Sequence, residues 1–65
     1  MFRDFKEIKY TIRQEGGGLV KGTYTGNIGF RRPQTQAEAE KMATEWLQKK
    51  KHPNCEVVEL EVTLR

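Results

Sequence analysis

His52 and Cys55 form the one pair in this chain whose types and spacing suggest nucleophilic chemistry. A thiol beside an imidazole can serve as nucleophile and general base. The pair lies in His52-Pro53-Asn54-Cys55, between a helix-like run and a strand-like run. Pro-Asn is turn chemistry, and a small cysteine opening a strand is ordinary core material. No third group is placed to orient the imidazole. The turn reading is preferred, and no catalytic residue is assigned. One cysteine excludes an intrachain disulfide, and one histidine beside it gives too few ligands for a four-coordinate zinc. Gly16-Gly17-Gly18 leads into Leu19-Val20 and not into the Lys-Ser/Thr and helix of a phosphate loop. The acidic residues are scattered singly or along a helix surface. We therefore expect no enzyme, no cofactor and no metal.

The remaining chemistry is charge. The formal net charge is +3, from 12 Lys and Arg against 9 Asp and Glu. Lys49-Lys50-Lys51 would close a helix near the glycine turn, where Arg13 and Lys21 would face each other. Arg31-Arg32 would sit at the other helix end, about 24 Å away for a helix of roughly 16 residues. That spacing predicts two positive poles and not one patch. The set Arg13, Lys21, Arg31, Arg32, Lys49, Lys50 and Lys51 is the candidate contact set for a nucleic-acid backbone. Against it, single-strand binders carry exposed aromatics for stacking. Tyr10, Tyr24 and Phe30 share the parity of the core, and only Phe5 points to the open face. Glu7, Glu59 and Glu61 on that face would repel phosphate.

The elements that position these groups follow from periodicity. Ile8, Tyr10 and Ile12 alternate with Lys9, Thr11 and Arg13. Val20, Tyr24, Ile28 and Phe30 share a parity, as do Val58, Leu60, Val62 and Leu64. Each run predicts a half-buried antiparallel strand. The glycine triplet predicts a hairpin turn. A three-residue loop would set Tyr10 opposite Tyr24, Lys9 opposite Thr25, and Phe5 opposite Gly29. Gly22 and Gly26, on the core side of strand two, mark it as an edge that a large neighbour can approach closely. Thr35 and Glu38 form a capping-box pattern, and Pro53 stops the helix. Ala39, Met42, Ala43, Trp46 and Leu47 recur as one helical stripe.

Sixty-five residues, 35% hydrophobic, bound the outcome to one small domain over residues 1–65 with a thin core. We expect an α+β fold, ββαβ, with a three-stranded antiparallel sheet in order 2-1-3 and the helix on one face. That order places Glu59 and Glu61 beside Lys6, Lys9 and Arg13. The core would centre on Trp46, Tyr10, Tyr24, Phe30 and Met42. No apolar run nears the ~20 residues of a membrane span, and no signal peptide is evident. Met1 at one end and a strand at the other read as a complete small gene product, reduced and cytoplasmic. Two functions remain. The first is a non-enzymatic protein-interaction or regulatory module acting through a sheet edge or the open face. Its contacts would be Phe5, Lys9, Thr25, Val57, Glu59, Glu61 and Thr63, and its partner unidentified, a second copy included. The second is a small basic nucleic-acid-binding accessory protein using the lysine cluster.

Overall fold

Alternation in the first third of the chain produces a hairpin. The computed structural model describes all 65 residues, with β1 at Phe5–Arg13 and β2 at Leu19–Thr25. Gly16 and Gly17 turn the chain at φ +103° and +96°, values that glycine adopts without steric cost. Gln14 and Gly18 close the loop, Gln14 N–H donating to the Gly18 carbonyl at 2.8 Å. The helix α1 covers Gln36–Trp46 and β3 covers Glu56–Leu64. The sheet order is β2-β1-β3, and both pairings are antiparallel. The small α+β fold expected from the sequence is the fold observed.

The hairpin register differs from the expected one by two residues. Tyr10 lies opposite Gly22, Lys9 opposite Thr23, Thr25 opposite Glu7, and Arg13 opposite Leu19. Parity is kept, so the same faces meet. The phenolic ring of Tyr10 lies over bare Gly22, within the space a Cβ there would occupy. An aromatic does cover a strand glycine, but with partners other than Phe5 and Gly29.

Two irregularities in the β1–β3 ladder change what faces the core. Lys6 has no partner between the pairs Phe5–Leu64 and Glu7–Thr63, and Val58 has none between Thr11–Glu59 and Ile12–Val57. Each unpaired residue is a bulge, which reverses the side on which the next residue points. Phe5 is consequently 0% exposed, in the core and not on the open face. Val57 packs against the core, and Val58 is the exposed one. The core joins Phe5, Ile8, Tyr10 and Ile12 to Ala39, Ala43 and Leu47 of the helical side, with Val62 and Cys55.

Strand two also ends earlier than its parity implies. Gly26, at φ +95°, and Gly29, at φ +149°, turn the chain out of the sheet. Asn27 then ties the turn down: its Oδ1 accepts from Phe5 N–H at 2.9 Å, and its Nδ2 donates to Asp4 at 3.4 Å. Ile28 still packs on the core, but Phe30 is fully exposed at 104% of its reference area. Phe30 is therefore not a core residue.

Thr35 caps α1, its Oγ1 accepting from Glu38 N–H at 3.1 Å. Glu38 does not close the box; its carboxylate reaches Arg31 at 3.6 Å. Thr35→Ala should cost about 1 kcal/mol and Thr35→Ser little, read as midpoints of thermal unfolding by circular dichroism. Beyond Trp46 the helix widens into a π turn, Leu47–Lys51, closed by His52 N–H on the Leu47 carbonyl at 2.8 Å. No helix is long and apolar enough to cross a membrane.

Candidate interaction surfaces

His52 and Cys55 do not address each other. Cys55 is buried, and its Sγ donates to the Leu47 carbonyl at 3.7 Å. The His52 ring packs on Tyr10, centroids 5.9 Å apart. Cys55 N–H bonds the His52 carbonyl at 3.1 Å, and Asn54 takes φ +66°, the left-handed region that Asn tolerates. The segment is a turn that seats a small side chain in the core. No three His, Cys, Asp or Glu side chains converge.

The open face of the sheet holds Lys9, Thr25, Glu59, Glu61 and Thr63, all exposed. Phe5 and Val57, expected among them, are withdrawn by the two bulges. What remains is a shallow trough of about 680 Å³ whose side chains include Lys9, Thr11, Lys21, Thr23, Glu59 and Glu61. Its charge is divided by strand: Lys21 on β2, Lys9 on β1 opposite Glu61 on β3. Interfaces gain most of their affinity from buried aromatic, Met and Arg anchors. With Phe5 withdrawn, the trough has no exposed aromatic side chain.

The two sheet edges are not equivalent. Gln14–Gly18 and Lys6–Gly26 are bonded pairs at the ends of the β1–β2 ladder, and the register between them is unbroken. Bonded pairs alternate along an antiparallel ladder. Val20, Gly22 and Tyr24 therefore bond β1, while Lys21, Thr23 and Thr25 turn N–H and C=O outward. On β3 the phase is the reverse, and its outward Val62 carbonyl already accepts from Gln36 Nε2 at 2.8 Å. The helix thus occupies part of the β3 edge and leaves that of β2 free.

The cations regroup. Arg32 is a structural residue: Nε bonds Asp4 at 3.0 Å and Nη1 bonds the Gly29 carbonyl at 2.6 Å. Arg13 pairs with Glu56 at 3.8 Å and lies opposite Leu19, so it does not face Lys21 across the hairpin. Lys51 is exposed. Arg31, Lys49 and Lys50 line one groove of about 280 Å³ between the loop after β2 and the helix. The loop returns alongside the helix, so these three border one groove, with the Arg31 guanidinium at its Glu38 end and the two lysines towards the helix C-terminus. Ile28, Phe30, Met42 and Trp46 supply the groove's apolar surface, and Glu45 its single acid. Trp46 leans on Tyr24, centroids 4.8 Å apart at 53°. Sequence reasoning missed this groove because it kept Phe30 in a strand. The signal was present: two glycines in four residues, Gly26-Asn27-Ile28-Gly29, are a turn pattern. Comparison of the chain with protein-family models, curated proteins and solved structures finds no match.

Proposed function

We propose that this chain is a non-enzymatic protein-interaction module that receives a partner strand along β2. The observation that supports this reading is the outward N–H and C=O groups of Lys21, Thr23 and Thr25 on an uncovered edge. Strand addition draws its affinity from such groups, and side chains beside them give selectivity. Edge pairing at β3, with Glu59, Glu61 and Thr63 beside it, is the less favoured form, since Gln36 holds the Val62 carbonyl. A second copy is one candidate partner, joining β2 to β2 across a two-fold axis.

Thr23→Pro tests this without dismantling the hairpin. Proline lacks a backbone N–H and is tolerated on edge strands. The Thr23 N–H points away from β1, so the variant removes a partner bond and keeps the ladder. Thr23→Val keeps that N–H and serves as control. The chain and its valine variant should hold a partner, or dimerise in sedimentation, at moderate salt and after nuclease treatment. Thr23→Pro should lose it while remaining folded by circular dichroism. A wild-type chain that sediments as a monomer and captures nothing, or a Thr23→Pro variant that binds undiminished, overturns the proposal.

A further inference from the structure

We infer a second binding site, for single-stranded nucleic acid, in the groove between the loop after β2 and the helix. Phe30 carries the inference, because its ring is the most exposed aromatic of the chain, at 104% of its reference area against 63% for Phe2, 7% for Tyr10 and 0% for Phe5. A protein-binding anchor normally enters a pocket. A ring standing free in solvent offers its faces, and a flat base is the partner that uses a face. Three cations, Arg31, Lys49 and Lys50, share the groove with one acid, Glu45. Arg31 is held only by its surface contact with Glu38 at 3.6 Å, its side chain 76% exposed. Exposed pairs of that kind are weak and exchange readily for another anion. An anionic ligand with flat apolar groups matches this combination, and a nucleic-acid strand is one. The strand must be single, since the bases of a duplex already stack on their neighbours and present edges and backbone instead. The site shares no residue with the β2 edge, so it stands or falls separately from the strand-addition reading.

Trp46 is the one tryptophan of the chain and lines this groove, so its emission reports occupancy directly. The probe is an oligothymidylate of about eight nucleotides, within the site size of small single-strand binders, titrated at low salt. Saturable quenching is expected, with no comparable signal from a duplex of the same length. Phe30→Ala should weaken binding on the order of tenfold, the usual scale for one stacked base, and Phe30→Tyr should restore it. Lys49→Gln with Lys50→Gln should lower the salt slope by about 1.4, for two phosphates of a single strand. Phe30 and both lysines are exposed, and circular dichroism of each variant verifies that the fold is kept. Unchanged Trp46 emission at low salt overturns the inference, and so does full affinity in Phe30→Ala. Tighter binding of an acidic peptide with apolar side chains also overturns it, and assigns the groove to a protein.

Discussion

Phe5→Ala is expected to leave the chain largely unfolded at 25 °C, whereas Phe30→Ala should shift stability by no more than about 0.5 kcal/mol. The two rings are the same size and lie in sequence runs of similar appearance. Their environments decide the outcome. Phe5 is 0% exposed and packs in the core with Ile8, Ile12 and Leu47. Removing a buried phenyl ring costs about 3–5 kcal/mol, the transfer energy plus the cavity left behind. A single core in a domain of this length rarely supplies more than about 3–5 kcal/mol in all. The loss therefore approaches the whole stability. Phe5→Leu fills most of the volume and should retain a cooperative transition. Urea unfolding followed by circular dichroism separates the three variants. A Phe5→Ala protein with the wild-type midpoint would show that the bulge at Lys6 does not turn this ring inward.

The contrast between these phenylalanines also shows where the sequence was legible. Periodicity gave the three strands and the helix, and the preference for one buried face per strand gave their order. Those signals are repeated over several residues, so a single exception does not erase them. A bulge is one residue, and it reverses a face without a repeat to announce it. The trace it leaves is a change of parity: Phe5 is odd while Ile8, Tyr10 and Ile12 are even, and Val57-Val58 doubles an apolar position. Both breaks coincide with the unpaired residues of the ladder. The cations of the groove were legible as residues but not as a group. Their grouping depends on the path of the loop, which Asn27 and Arg32 set through bonds to Phe5, Asp4 and Gly29. Those are contacts between residues up to 28 positions apart, and local pattern carries no information about them.

Gly22→Ala and Gly18→Ala should move stability in opposite directions. Replacing glycine by alanine ordinarily stabilises by about 0.4–1 kcal/mol where the backbone permits it, because the unfolded chain loses freedom. Gly18 meets that condition: its φ is not positive, and nothing lies within 4 Å of an added Cβ. At Gly22 an added Cβ would meet the ring of Tyr10, with Cε1 at 2.9 Å and the phenolic end closer still. Tyr10 cannot simply swing aside, since it is 7% exposed, on the central strand, with His52 packed against it. Overpacking of this kind costs about 1–3 kcal/mol. The cause can be isolated with Tyr10→Leu, whose shorter side chain does not reach the β2 backbone. If the ring is the obstacle, Gly22→Ala should be far less harmful in the Tyr10→Leu background, with a coupling of about 0.5–3 kcal/mol between the two sites. Additive effects would mean that the ring does not rest on Gly22. The same contact bears on the proposed function, because a glycine that must stay bare also keeps β2 weak as a strand. With Tyr10 covering its core side and no neighbour on its outer edge, β2 gains most from a partner strand. Gly22→Ala should accordingly lower partner binding along with stability, while Gly18→Ala, at the hairpin loop, should leave binding unchanged.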